Sequence, residues 1–314
     1  MKKVFIILVS LIACLFASCA KRGDVKFAVV YGAAHGKKCF STAAVVVNAK
    51  DGSILDAFID EYQYFSSDTL GLIGVPNSDK KFANGHKQGL TLASKKVNDA
   101  YYSAHMQEKA ASTVSIKKNY ETLEAFVEGK KSAELSEVDI VSGATLVDTP
   151  NYMALIAKAA ERANASEVSY PVSNLKNVSI AEAEAAAHGE QCFALVVNVM
   201  DGSTIAAAFI DEFQYMDAAA GVKGVPNSDK RFGENYVSGK LLCSKKENAA
   251  YYSATMASLA GSTISIDENY RAIENFAQGK KPAALAEVDA VTGATLVDTP
   301  NYLRAIAFAA ENSK

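Results

Sequence analysis

The order of apolar and polar positions predicts an antiparallel hairpin in each half of the chain. Apolar and β-branched runs at residues 42–48 and 53–61 flank one Asp-Gly turn signal, and similar runs at residues 194–198 and 203–212 flank another. We therefore expect each half to open with two antiparallel strands.

Helical patterns follow each hairpin. Residues 98–109 and their counterparts 248–259 fit one helix, and Ser265 begins a Ser-x-x-Glu capping box that predicts the start of the next. A Pro at the first helical position favours a last helix over residues 151–162, and the second half ends in the same way over residues 301–311. The expected fold class is α+β, with antiparallel strands packed against helices in each half.

The two halves are a tandem duplication. The heptapeptide Asp139-Ile140-Val141-Ser142-Gly143-Ala144-Thr145 returns 150 residues later as Asp289-Ala290-Val291-Thr292-Gly293-Ala294-Thr295, and Leu-Val-Asp-Thr-Pro-Asn-Tyr follows both copies. The loop sequence Gly-Val-Pro-Asn-Ser-Asp-Lys also occurs twice, at residues 74–80 and 224–230. Such a loop is either a site carried on a rigid scaffold or a turn capped by its own Asn and Asp side chains.

Composition narrows the class of protein. Of the 314 residues 49% are hydrophobic and 21% are charged, and the formal net charge is −3. This balance indicates a folded body and argues against a nucleic-acid binder, which would carry a basic excess.

The first residues predict export. Lys2 and Lys3 precede an apolar run that is shorter than the roughly 20 residues needed to span a bilayer, as in a secretory signal peptide. The following Phe-Ala-Ser-Cys sequence resembles a bacterial lipobox, which implies cleavage before Cys19 and lipidation of its thiol. A lipobox ending at Cys14 and an uncleaved anchor are the alternatives. In each case the folded part lies outside the cytoplasm, and a lipid anchor would hold it at the membrane.

The domain boundaries follow from these patterns. They are a signal peptide at 1–18, a lipidated tether at 19–23, a first domain at 24–165, a linker at 166–176 and a second domain at 177–314.

The duplicated heptapeptide resembles the D-x-x-[ST]-G-A-T motif of the FMN-binding domain family. In that family a flavin transferase attaches FMN to the last threonine through a phosphoester. The resemblance covers nearly all of the mature chain as two tandem FMN-binding domains, and it is specific at the two motifs. It implies two covalent FMN groups, on Thr145 and Thr295.

The other motif residues are expected to shape the FMN sites. Gly143 and Ala144, with Gly293 and Ala294, leave the approach to the threonine hydroxyl open. Ser142, Thr292, Asp139 and Asp289 complete the motifs. A strand over residues 137–141 and a helix just after Thr145 would place backbone N–H groups near a phosphate.

The resemblance also implies a function. Tandem FMN-binding lipoproteins relay electrons in flavin-based extracellular electron transfer, so the expected partners are a flavin transferase, an upstream membrane flavoprotein or quinol oxidase, and an extracellular acceptor. An electron carrier is favoured over a self-sufficient reductase, for which no substrate domain remains. The alternative is a non-redox binding or adhesion lipoprotein that kept the fold without the flavin.

Several other residues have a structural and a functional interpretation. Tyr101-Tyr102 and Tyr251-Tyr252 are helical core residues or neighbours of a flavin ring. His35 and His188 are interpreted as turn or core residues rather than metal ligands. The Lys-Lys pairs at 95–96 and 245–246 could neutralise a phosphate, but they are interpreted as surface lysines. The cysteines after the export segment, Cys39, Cys192 and Cys243, are expected to be buried free thiols.

Overall fold

The computed structural model describes residues 22–312, and each repeat folds as an antiparallel sheet with three helices. In the first repeat the strands are β1 Gly23–Gly32, β2 Cys39–Asn48, β3 Ile54–Ser66 and β4 Leu90–Ser94, and the helices are α1 Asp99–Ala110, α2 Ile116–Val127 and α3 Thr149–Ala165. The signal segment, Cys14 and Cys19 lie outside the described residues.

The second repeat has the same order of elements. Its strands are β6 Val178–Ala185, β7 Cys192–Asp201, β8 Thr204–Asp217 and β9 Lys240–Ser244, and its helices are α4 Ala249–Ala260, α5 Ile266–Ala277 and α6 Thr299–Glu311. A short strand between the repeats, β5 Tyr170–Val172, pairs with β1, so the sheets have the orders β4-β3-β2-β1-β5 and β6-β7-β8-β9. The expected α+β class is confirmed.

The predicted hairpins are present, but neither is the first element of its repeat. β2 and β3 pair around a turn in which Gly52 has a φ of 74°, and β7 and β8 pair around Gly202 with a φ of 59°. β1 and β6 precede them as further antiparallel partners. The residues expected to form a linker at 166–176 include β5, which extends the first sheet.

The predicted helices are also present. The capping box at Ser265 forms as expected, since its hydroxyl accepts from the Glu268 N–H and the Glu268 carboxylate accepts from the Ser265 N–H. The last helix of each repeat has its Pro in the first turn. Among residues 22–312, no helix combines the length and apolar character needed to cross a bilayer.

Each sheet is buried on both faces. All residues of β2 and β7 except the last are buried, which is unusual for antiparallel strands, whose second face commonly meets water. One face packs against the last two helices of the same repeat, as with Val45 and Ile156 in the first. The other face meets the opposite sheet, where Phe40 and Phe213 have ring centroids 5.4 Å apart.

The contact between the two sheets is not symmetric. Tyr31 of β1 donates a hydrogen bond of 2.7 Å to Asp211 of β8, so the buried carboxylate has a neutral partner. Glu184 stands at the position of β6 that corresponds to Tyr31, and its carboxyl lies near Asp60, the counterpart of Asp211.

Because Glu184 replaces a tyrosine at this position, several titratable groups lie together between the sheets. Burial raises the pKa of Glu184 to about 8, and the charge of Asp60 adds to this effect, while the Tyr62 hydroxyl opposes it. Burial also raises the pKa of Asp60 to about 6. Burial and the charge of Glu184 raise the pKa of Glu182, and the positive charge of Lys96 partly offsets this increase.

A first prediction concerns the pH dependence of stability. An ordinary glutamate ionises near 4.5, whereas folded Glu184 keeps its proton up to about 8. The stabilising contribution of Glu184 to the free energy of unfolding is therefore fully present below pH 4.5 and is lost as the pH rises through 8. Glu184→Gln removes the titrating group. The difference in free energy of unfolding between this variant and the wild type, measured in urea, should therefore shift in favour of the variant by about 1–3 kcal/mol between pH 5 and pH 8.

Glu137→Gln is the matched control, because Glu137 is exposed. We expect this variant to follow the wild type at both pH values. Equal effects of the two substitutions would contradict the assignment of Glu184 as a buried titrating group.

Candidate functional site

Thr145 and Thr295 occupy equivalent places at the mouths of two cavities. Each lies in the loop before the last helix of its repeat and is exposed. Gly143 and Gly293 both have a φ of 91°, a conformation that favours glycine, and the turn they form presents the threonine. Each threonine is therefore accessible from solvent and lines a cavity of its repeat.

A buried asparagine fixes the backbone of each threonine. The Thr145 N–H donates to Asn119 Oδ1 at 2.6 Å, and the Thr295 N–H donates to Asn269 Oδ1 at the same distance. Both asparagines are fully buried on the second helix of their repeats. Sequence reasoning missed these residues, although each is identical in the two copies.

The backbone N–H of Thr145 is not free to bind a phosphate, contrary to the expectation for the helix start. Its N–H is already bound by Asn119, and α3 begins four residues later, at Thr149. The carboxylate of Asp148 lies just before the first turn and contacts His35. The expected strand over residues 137–141 is also wrong, because this segment is an irregular loop in which Asp139 and Ile140 are exposed.

The two cavities have the same walls and different sizes. Their volumes are about 330 Å³ in the first repeat and about 630 Å³ in the second. Tyr102 and Met106 of α1 form one wall of the first, and Tyr252 and Met256 of α4 form that of the second. Tyr102 and Tyr252 are half-buried, so they line the cavities and also pack against the core of their repeats, as the helical pattern had favoured. Tyr101 and Tyr251 are exposed and line neither cavity.

The floor of each cavity is a buried ion pair. Lys95 Nζ lies 2.7 Å from Glu61 Oε2, and Lys245 Nζ lies 2.6 Å from Glu212 Oε2. All four side chains are almost entirely buried. The interpretation of Lys95 and Lys245 as surface lysines is therefore wrong.

Tyrosine hydroxyls donate further hydrogen bonds to the buried glutamates. Tyr270 and Tyr302 donate to Glu212 Oε2 at 2.7 and 2.9 Å, and Tyr120 donates to Glu61 Oε2 at 3.0 Å. Although burial acts to raise the pKa of each glutamate, the adjacent lysine charge holds it below its ordinary value. Each glutamate is thus ionised, and each cavity has a fixed cation in its floor.

The cysteines expected to be free thiols are confirmed as free and buried. Cys39 donates to the carbonyl oxygen of His35 at 2.9 Å, and Cys192 donates to that of His188 at the same distance. Burial, followed by the charge of the neighbouring glutamate, raises the pKa of both thiols. These thiols therefore remain protonated at neutral pH.

His35 and His188 connect the cavity wall to the threonine loop. Their Nδ1 atoms lie 2.6 and 2.7 Å from the carboxylates of Asp148 and Asp298, three residues after each threonine. Both histidines line a cavity. In residues 22–312, no group of three or more His, Cys, Asp and Glu side chains is arranged to hold a metal ion.

The remaining motif residues lie outside the cavity walls. The residues that line each cavity include the threonine and the two or three residues that follow it, but none of the earlier motif positions. Asp139 and Asp289 are exposed. The earlier positions shape the turn or face solvent, and they are Ser142, Gly143, Ala144, Thr292, Gly293, Ala294, Asp139 and Asp289.

No protein-family model, curated protein or solved structure matches the chain.

A second prediction concerns the ion pair in the cavity floor. Lys245→Met leaves the charge of Glu212 buried without its cation, so it should lower the free energy of unfolding in urea by about 3–5 kcal/mol. The double variant Lys245→Met, Glu212→Gln should recover part of this loss, because no uncompensated charge remains.

Lys246→Met serves as the control, since the neighbouring Lys246 forms a 2.6 Å ion pair with Glu274 but is 23% exposed. It should cost less than Lys245→Met. A loss for Lys245→Met no larger than that of the control would contradict the role of this ion pair.

Proposed function

We propose that this chain is an electron-transfer protein carrying two FMN groups, bound covalently through phosphoester bonds to Thr145 and Thr295. The observation that carries the proposal is the equivalent position of the two threonines. Each is an exposed residue that lines a cavity, while a fully buried asparagine fixes its backbone. An external transferase can reach such a hydroxyl without unfolding the chain.

The cavities suit a planar ring with a phosphate tail. Their volumes of about 330 and 630 Å³ fall within the range of about 300–1,000 Å³ typical of small-molecule sites. Val147 and Val297 line them and are each 90% exposed, which leaves apolar surface for a ring to cover. The tyrosine and methionine walls add further apolar area.

Polar groups beside the threonine suit a phosphate. The Ser112 hydroxyl lies 3.2 Å from Thr145 Oγ1, and Asn119 Nδ2 lies 3.3 Å from the same atom. Ser262 and Asn269 are the counterparts in the second repeat, where Ser262 lines the cavity. In the structure these groups donate to the carbonyl oxygens of Val114 and Ser115 in the first repeat and of Ile264 and Ser265 in the second. They give the wall beside the threonine a polar surface, and they would exchange these partners to bind a phosphate oxygen.

When bound, FMN supplies one-electron and two-electron chemistry. The residues of this chain would orient the ring and set its surroundings. Lys95 and Lys245 place a positive charge in the cavity floor, and a cation near a flavin favours its reduced, more negative form. The paired glutamates reduce this effect, so the ion pair as a unit sets the local field.

The proposed location and redox partners of the protein come from its sequence. A lipidated Cys19 would hold the protein at the outer side of a bacterial membrane, with electrons arriving from a membrane flavoprotein or quinol oxidase and leaving to an extracellular acceptor. Covalent attachment suits this location, because a dissociable flavin would be lost by dilution. Each domain then carries one flavin of a relay, and the chain acts as a carrier.

A third prediction tests the attachment. Full-length protein co-expressed with a flavin transferase should be yellow, and its intact mass should include two FMN additions. Thr145→Ala and Thr295→Ala should each remove one addition, and the double variant should have none, because the attacking hydroxyl is absent. The measurement is intact-protein mass spectrometry under denaturing conditions.

Thr113→Ala is the matched control, since Thr113 is another exposed threonine that lines the first cavity. This variant should keep both additions. A colourless, unmodified wild type would contradict the flavin proposal and favour a binding lipoprotein, and additions that survive in the double variant would contradict the assigned threonines.

A further inference from the structure

The duplicated loops at residues 74–80 and 224–230 cross from each repeat to the other. The Phe82 N–H, just after the first loop, donates to the Glu190 carbonyl of the second repeat at 2.7 Å. The Phe232 N–H, just after the second loop, donates to the Lys37 carbonyl of the first repeat at 2.8 Å. The same crossing is therefore made twice, in opposite directions.

An asparagine is the central polar contact of each crossing. Asn77 Nδ2 donates to the carbonyl oxygens of Gly189 at 2.8 Å and Cys192 at 2.7 Å. Asn227 Nδ2 donates to those of Gly36 and Cys39 at the same two distances. One side-chain amide thus closes the turn between the histidine and the cysteine of the opposite repeat.

Both asparagines adopt a backbone conformation that is costly for most residues. Asn77 has a φ of 66° and Asn227 a φ of 64°, in the left-handed region. Within residues 22–312, Ala111 is the only other non-glycine residue with a positive φ. Such conformations persist where the surrounding contacts enforce them. Here the backbone contacts lie within the loop and the side-chain contacts lie in the other repeat.

Aromatic packing supports each crossing from below. The ring centroid of Phe82 lies 5.5 Å from that of Phe193, which follows the turn of the second repeat. Phe232 lies 5.5 Å from Phe40, which follows the turn of the first. All four rings are buried, so each loop rests on a rigid base.

The turns that receive the asparagines are walls of the two cavities. His188 and Gln191 line the cavity of Thr295, and His35 lines that of Thr145. His35 and His188 then contact Asp148 and Asp298 in the threonine loops. A continuous chain of contacts therefore runs from each asparagine to the threonine site of the other repeat.

We infer that each site is positioned by the opposite repeat, with Asn77 holding the wall of the Thr295 cavity and Asn227 holding the wall of the Thr145 cavity. The two asparagines are positioning residues with crossed targets. This inference concerns the cavities of the unmodified chain and holds whichever group they bind. Its failure is therefore distinguishable from failure of the flavin proposal.

A fourth prediction tests the crossed pattern by hydrogen exchange of the full chain. Asn77→Gly keeps the left-handed backbone accessible and removes the amide donors. Amides of residues 189–193 should therefore exchange roughly tenfold faster, as expected for the loss of one or two hydrogen bonds. Amides of residues 36–40 in the same molecule should be unchanged. Asn227→Gly should give the reverse pattern.

A spectroscopic readout separates positioning from general loss of stability. The chain has four histidines, so their ring proton signals can be assigned individually by NMR. Asn77→Gly should shift the signals of His188 and leave those of His35 in place, while Asn227→Gly should do the opposite. Uniform destabilisation would not produce this exchange of targets.

Two further variants complete the test. Asp79→Asn changes an exposed side chain of the same loop and should leave both turns and both histidines unchanged. If the glycine variants do not fold, Asn77→Asp and Asn227→Asp replace them, because aspartate keeps the shape of the side chain and removes its N–H donors. Equal changes in both turns, changes confined to the mutated repeat, or no change in either turn would each overturn the inference.

Discussion

The structure depends on sheets that are apolar on both faces. β2 and β7 bury nearly every residue, and a single layer of helices can cover only one of those faces. The second face of each sheet is covered by the sheet of the other repeat, with Phe40, Tyr62, Phe193 and Phe213 in contact across the boundary. Each Å² of apolar area buried there contributes about 25 cal/mol, so the pairing stabilises both repeats. Duplication is therefore part of how the chain folds.

The same pairing organises the polar groups. Loops leave each sheet at the boundary and satisfy backbone carbonyls of the opposite repeat, so the cavity walls are fixed from both sides. At the floor of each cavity a lysine and a glutamate are buried together, which is tolerable because the tyrosine hydroxyls supply further hydrogen bonds. The threonine hydroxyl, by contrast, stays at the surface. A rigid interior thus supports an accessible point of attachment.

Local signals in the sequence predicted the elements best. The Asp-Gly turns, the capping box at Ser265 and the prolines of α3 and α6 depend on neighbours within a few residues, and the structure has them where expected. Thr145 and Thr295 stood out because their surroundings are repeated, and both line cavities. The strand predicted over residues 137–141 is a loop, since no strand among the described residues pairs with this segment.

Contacts between distant positions could not be predicted in the same way. Lys95 is buried because Glu61, 34 residues earlier, lies beside it on the neighbouring strand, and lysine pairs at the end of an apolar run otherwise indicate surface. Asn119 reaches Thr145 only through the packing of α2. Asn77 meets Cys192 in another repeat, 115 positions away. Their identity in both copies was the one available signal, and it does not specify the contact.

The proposed function of this protein depends most on the chemical identity of the group at the two threonines. Peptide mapping by fragmentation mass spectrometry of the wild-type chain, matured with a flavin transferase, tests it most directly. We expect FMN on Thr145 in one peptide and on Thr295 in another, both at near-complete occupancy. FMN on other residues, on one repeat alone, or lost on denaturation would contradict it.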